Sequence, residues 1–302
     1  MPMRESKQMI KSYIVDAFTN QAFRGNSAAV CLLEEALDEK TMQSIAAEFN
    51  LSETAFLVRT ETNHWNLRWF TPTTEVNLCG HATLAAAYVL SHELKLDVDL
   101  FRFHTKSGEL TAKRLNNQLE LNFPRTKTDI IFETDLIQSV ASNFISLATA
   151  GEDLLIELLD ERSVREYEPN FLEISKLPCR GLMITAKSQS LSYDFVSRFF
   201  APRFGINEDP VTGSAHCALI DYWNRKTGKE HFIAKQLSKR EGILDIRLLD
   251  NRVTLCGDCV TTAKVELFIE KTNSNPLSGW HDLDPGTLYR HMFGSFRKRN
   301  AC

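Results

Sequence analysis

Residues 68–90, RWFTPTTEVNLCGHATLAAAYVL, and residues 197–223, SRFFAPRFGINEDPVTGSAHCALIDYW, are two copies of one pattern, each closing in a glycine turn that opens a helix. Arg68 aligns with Arg198 at a separation of 130 residues, Gly80 with Gly213 at 133, and Gly108 with Gly242 at 134. The register continues from LTAKRLNNQLEL at Leu110 to LDIRLLDNRVTL at Leu244, where Leu115, Asn117 and Leu121 correspond to Leu249, Asn251 and Leu255. So small a drift marks a duplicated domain, and the period is too long for a solenoid repeat. The chain reads as two similar domains facing one another, residues 10–125 and 126–271, with 272–302 as an appended tail. A site between them would be built from matching loops.

A chain of 302 residues, 43% hydrophobic and 25% charged, has ordinary globular composition and enough length for two cores. Its net charge of −4 gives no electrostatic footprint for nucleic acid. No apolar run is long enough to span a bilayer, and MPMRESKQMIKSYIV lacks the order of a signal peptide, so no membrane partner and a cytoplasmic location are expected. Seven cysteines, at 31, 79, 179, 217, 256, 259 and 302, fit reduced thiols. Cys256-Gly-Asp-Cys259 has the spacing of half a zinc site, but no second pair follows; it reads as two cysteines flanking a tight turn, with no metal expected.

Apolar runs at Ser12–Phe18 and Ala28–Leu33 read as strands joined by a loop that carries Gly25-Asn26-Ser27. Asp38 can cap a helix in which Met42, Ile45, Ala46 and Phe49 share a face, with Asn50 ending it. The β-prone run from Thr54 then leaves Glu53 at a helix-to-strand junction. Helices are expected over His81–Leu94 and Ser214–Lys226, both apolar over much of their circumference and therefore buried inside a surrounding sheet. Leu110–Phe123 and Leu244–Leu255 alternate and turn at Asn116-Asn117 and Asp250-Asn251, as hairpins do. Asp153–Leu159 reads as a strand and Ser163–Leu177 as a helix interrupted near Pro169. The fold class is α+β, with each half a set of strands around a mostly buried helix.

Two helix starts aimed at one cavity, at Gly80 and Gly213, would offer unpaired N–H groups and positive dipole ends to an anion such as a carboxylate. Taken singly, each glycine could serve only close packing; their equivalent placement, each followed by a polar residue, His81 or Ser214, points to a site. Glu53, half-buried beside Leu51, Ala55 and Phe56, is the candidate acid/base, with a helix-end role as the alternative. Glu208-Asp209-Pro210 places an acidic group near the second helix start, where Asp209 could bind substrate or cap the helix. His81 could relay a proton or donate to substrate. Asn26, Arg68 and the Lys239-Arg240 segment are expected to line the cleft. GxGxxG, P-loop, GxSxG and HExxH motifs are all missing, which favours a mechanism without cofactor.

The segments DAFTNQAFRGNSAAV, NLSETAF, RWFTPTTEVNLCGHATLAA, SRFFAPRFGINEDPVTGSAH and KREG resemble the phenazine-biosynthesis-type (PhzF-like) isomerases of the diaminopimelate epimerase superfamily, over nearly everything from Tyr13 to Glu270. The resemblance implies two domains related by a pseudo-twofold, each a β-barrel-like sheet around a central helix, with the site between them. It implies that Glu53, in the SETAF motif, is the catalytic acid/base and that His81, Asp209 and Ser214 hold or polarise a small carboxylate-bearing substrate. Homodimers are frequent in the family. Diaminopimelate epimerase and proline racemase, similar in fold, use two opposed thiols. Here Cys79 precedes the first glycine, but Thr212 takes the equivalent place in the second half, and a hydroxyl is a poor partner for two-base epimerisation. The leading expectation is an isomerase with one glutamate acid/base; a racemase using Cys79, or a catalytically silent interaction protein acting through its tail, are the alternatives.

Overall fold

The structure, a computed structural model, describes residues 7–115, 118–132 and 135–270. The expected turn at Asn116-Asn117 and the tail from 272 lie outside the described residues.

In the first half, β1 (Lys7–Ala17) pairs antiparallel with β2 (Asn26–Leu33). Helix α1 (Glu39–Phe49) follows: the Asp38 carboxylate accepts from the Thr41 amide at 3.0 Å, Met42, Ile45 and Ala46 form its buried face, and Asn50 ends it in the left-handed region. β3 (Glu53–Glu61) runs parallel to β2 and antiparallel to β4 (His64–Phe70), and the short β5 (Glu75–Val76) folds back on β4. Next come α2 (Gly80–Tyr88), β6 (Leu100–Thr105), which is parallel to β4, and the meander of β7 (Gly108–Leu115) and β8 (Gln118–Pro124). α2 is α-helical only to Tyr88 and continues as a π-helical turn over Val89–Glu93, so the helix expected to Leu94 is wider in its last turn.

The second half holds β9 (Thr128–Ile131), β10 (Ser146–Ala150), β11 (Asp153–Glu157), α3 (Glu161–Arg165), α4 (Phe171–Lys176), β12 (Leu182–Lys187), β13 (Phe195–Ala201), β14 (Ile206–Asp209), α5 (Gly213–Thr227), β15 (His231–Gln236), β16 (Gly242–Leu249), β17 (Arg252–Gly257) and β18 (Cys259–Glu270). Pairing repeats that of the first half. The series β2–β3 parallel, β3–β4 and β4–β5 antiparallel, and β4–β6 parallel recurs as β11–β12 parallel, β12–β13 and β13–β14 antiparallel, and β13–β15 parallel.

One strand departs from chain order. β18 lies antiparallel on β1 along its length, from Glu270 opposite Lys7 to Cys259 opposite Ala17, whereas β17 pairs with β16 and β8. β18 covers an edge that β1 would otherwise leave unpaired. Cys256 and Cys259 flank this crossover, not the tight turn expected of them.

Strand alternation decides what faces what. Ala55 and Leu57 of β3 pack in the core that encloses α2, while Phe56 between them packs with Met42 and Ile45 of α1 on the other face. Seven of the nine residues of α2 are buried, as its apolar circumference predicted. α5 shares the same core through Ala218, Leu219 and Trp223. Among the described residues, no helix is long and apolar enough to cross a membrane.

Candidate active site

Each central helix starts from an extended residue, Cys79 before α2 and Thr212 before α5, and neither residue's side chain caps its helix. A Cβ built on Gly80 would stand 3.7 Å from the Gly213 Cα, and one built on Gly213 would stand 3.7 Å from the Gly80 Cα. Only backbone separates the two helix starts. Their leading N–H groups and positive dipole ends therefore fall in one small region, as the repeat implied.

Glu53 reaches this region through strand parity, since it shares a face of β3 with Ala55 and Leu57. Its side chain is 12% exposed, and its Oε2 lies 3.1 Å from His81 Nε2, close enough for an ion pair but without hydrogen-bond alignment. Burial opposes a charge on His81, and the negative groups at Cys79 and Glu53 outweigh it, raising its proton affinity well above the ordinary histidine value. Burial, reinforced by the Glu53 charge, pushes the Cys79 thiol up to about 11. Near neutral pH the thiol keeps its proton.

The second half meets this pair through Asn26. The Asn26 amide donates to Asp209 Oδ1 at 2.8 Å and to the Val211 carbonyl at 2.9 Å, with His81 Nδ1 3.2 Å away; its own buried Oδ1 has no partner among the described residues. Asp209 also accepts from the Thr212 hydroxyl. Burial pushes Asp209 up to about 6, against the pull of His81 and of these donors. Gln236, fully buried, clasps the loop from behind: its Nε2 donates to the Asp209 carbonyl at 2.7 Å and its Oε1 accepts from the Thr212 amide at 2.9 Å. His216 Nδ1 donates to the Thr212 carbonyl at 2.8 Å, and burial holds that ring down at about 4, hence neutral.

Glu53, His81, Asn26 and Asp209 thus form one connected cluster beside Gly80 and Gly213. Ser214 is exposed at the start of α5, where its hydroxyl accepts from Arg180 Nη2 at 3.3 Å. Two expectations need correction. Arg68 does not line a cleft: it is 4% exposed and forks onto Glu75, with both contacts at 2.7 Å, and onto Glu39 at 2.9 Å. Arg198 repeats the fork on Glu208, which removes Glu208 from the site and leaves Asp209 as its acid. Arg240 is held by Asp16 and the Gly25 carbonyl. Sequence reasoning missed Gln236 and Arg180, which carry no local motif.

Glu53, Cys79 and His81 present donor atoms within 4.8 Å of one another, as do His64, His104 and Glu109. A cavity of about 330 Å³ lies elsewhere, between the Phe18–Arg24 loop and β15–β17, and includes none of the cluster. Cavity size and chemistry disagree here. The contact of the Glu53 carboxylate with an imidazole at two helix starts, with Asp209 joined through Asn26, locates the site better than volume does.

Such a site, on strands enclosing two buried helices, belongs to a class of proteins known from both sequence and structure. The sequence profile described as phenazine biosynthesis-like protein (PhzC-PhzF) matches residues 15–265, and the chain belongs to that family. It is 46% identical over 260 residues to an uncharacterised isomerase of Halalkalibacterium halodurans, covering 85% of this chain and 98% of that protein. The crystal structure of a PhzF-family phenazine biosynthesis protein from Enterococcus faecalis is 39% identical, with a TM-score of 0.83 over 87% of this chain and 100% of that one. In fold alone, the likeness extends to a hydroxyproline epimerase from Agrobacterium vitis, 9% identical with a TM-score of 0.55 over 90% of this chain and 95% of that one.

Proposed function

We propose that this protein is an isomerase that moves a proton between two positions of a small carboxylate-bearing substrate, with Glu53 as the only acid/base and no metal or organic cofactor. The observation that carries this reading is the half-buried Glu53 carboxylate against His81, beside two abutting helix starts. The name isomerase borne by relatives that align along most of the chain supports the reaction class.

In the proposed reaction Glu53 takes a proton from carbon next to an unsaturated or carboxylate-bearing centre. The electron pair of that C–H bond delocalises toward the carboxylate, and the negative charge is met by the N–H groups of α2 and α5 and by Ser214. Protonated Glu53 then returns the proton to a second carbon on the same face, and the double bond shifts. His81 holds Glu53 in place as a charged neighbour, while Asn26 and Asp209 fix the far side of the substrate. Atoms and charge balance without a second base. The thiol route has less support, because Cys79 keeps its proton to about 11 and Thr212 stands in the equivalent place of the second half.

The repeated strand pairing supports two lobes about a pseudo-twofold axis near Gly80 and Gly213, with residues 10–125 plus β18 forming one lobe and 126–257 the other. The protein would work in the cytoplasm, as a homodimer that sedimentation can test. For the activity, wild type and Glu53→Gln are incubated in D2O with a panel of small amino and unsaturated acids. Carbon-bound deuterium in wild type alone supports the reading; equal exchange in both proteins refutes it.

A further inference from the structure

Strand register shows how the two halves have diverged. Phe56 of β3 stands opposite Arg68, and Ile184 of β12 stands opposite Arg198, the partner of Arg68 in the repeat. Counting three residues back from each places Gly181 where Glu53 stands. A side chain does not fit there: a Cβ on Gly181 would meet the buried Phe199 ring at 2.3 Å, closer than real Cβ atoms approach. The second half therefore has no room for a counterpart of Glu53.

The neighbouring Arg180 brings a cation to the start of α5, against Ser214. Its guanidinium forks onto buried Asp153, through Nε at 2.9 Å and through Nη2, and lies over the Phe199 ring at 5.5 Å from the centroid. Its backbone amide is fixed by the Glu152 carbonyl at 2.7 Å. Nη2 also donates to Ser214 Oγ, so the hydroxyl accepts on one side and keeps its own hydrogen for a ligand. The Arg180 side chain remains 38% exposed, open to an incoming anion at the N-terminal end of α5.

We propose that Arg180 is a carboxylate-binding residue of the substrate site, acting with Ser214 and the first N–H groups of α5. The site is then one-sided: the first half supplies the acid/base and the second grips the anion. This rests on the functional reading above for its place in catalysis, but the binding itself does not require turnover. With Nε and Nη2 committed to Asp153 and Ser214, the guanidinium is held rigid and Nη1 is left to donate to a carboxylate, a placement that a lysine here, without the fork onto Asp153, would not keep. The substrate class narrows to acids whose carboxylate lies at the α5 end while the reacting carbon faces Glu53.

The test uses oxalate, which has no carbon-bound hydrogen, titrated into full-length protein while the Gly213 and Ser214 amides are followed by NMR. Wild type should show saturable shifts, and Glu53→Gln should keep them, since it removes a negative charge from the site but none of the groups proposed to bind oxalate. Arg180→Gln alone would strand the buried Asp153 carboxylate, so the decisive protein is Arg180→Gln/Asp153→Asn, which removes both charges. Its affinity for oxalate should fall about 10- to 100-fold, as for loss of a hydrogen bond to a charged group, with Arg180→Lys in between. Oxalate that leaves these amides unmoved in wild type, or binds the folded double variant as well as wild type, overturns the proposal. Failure of the Glu53 reading is seen separately, as exchange from carbon that survives Glu53→Gln.

Discussion

Replacing Asp209 with asparagine should change the pH dependence of stability in a direction that the structure fixes. Burial raises this carboxyl from 3.8 to about 6, so between those values the unfolded chain has lost its proton and the folded protein still holds it. The folded state then binds more protons, and wild-type stability must fall as pH rises through that window. At about 1.36 kcal/mol per decade the full change approaches 3 kcal/mol; some solvent access to the half-buried side chain brings the expected value to about 2 kcal/mol. Asparagine preserves the geometry, since its oxygen accepts from Asn26 where Asp209 Oδ1 does and the Thr212 hydroxyl can turn to accept instead. Urea unfolding of both proteins from about pH 4 to about pH 7.5 gives the difference directly. The variant should gain on wild type steadily up to about pH 6 and then hold level. A flat difference, or one that moves in favour of wild type as pH rises, would refute the reasoning.

Other substitutions probe separate parts of the account. Arg68→Met breaks the buried fork onto Glu75 and should cost about 3 kcal/mol in denaturant unfolding; a loss below about 1 kcal/mol would show that the fork contributes little to the fold. Gly213→Ala puts a methyl 3.3 Å from Leu255 Cδ1 and between the helix starts. It should cost about 1 kcal/mol of stability while lowering proton exchange roughly 10- to 100-fold, whereas equal exchange would show that the gap between the helices is not used. Cys79→Ala should keep exchange within about threefold of wild type, and the folded protein should resist iodoacetamide at neutral pH because the thiol is protonated. A loss as deep as that of Glu53→Gln would restore the thiol mechanism.

Features with a local cause were legible in the sequence. Asp38 and Asn50 bound α1 because capping chemistry is written in adjacent residues, and Gly80 and Gly213 mark the helix starts, where the two backbones come close to one another. Glu53 was singled out by its junction, and the strand parity that turns it toward the core side of Ala55 and Leu57 shows only in the structure. Features set by distant partners were not legible. β18 alternates like any exposed strand, and nothing in Cys259–Glu270 says that its partner is β1. Arg68 and Arg180 look alike as isolated cations, yet one is sealed by Glu75 and Glu39 and the other stays open beside Ser214. Gln236 reads as an ordinary strand end until the Asp209–Thr212 loop is laid against it.

The claim that one glutamate serves both carbons is tested most directly by the face of the new C–H bond. With a substrate found by the exchange screen, the reaction is run in D2O and the product's deuterated centre is assigned by NMR. Glu53 as sole acid/base requires the new bond on the face from which the first proton left. Delivery to the opposite face would require a second acid on the other side and would contradict the account.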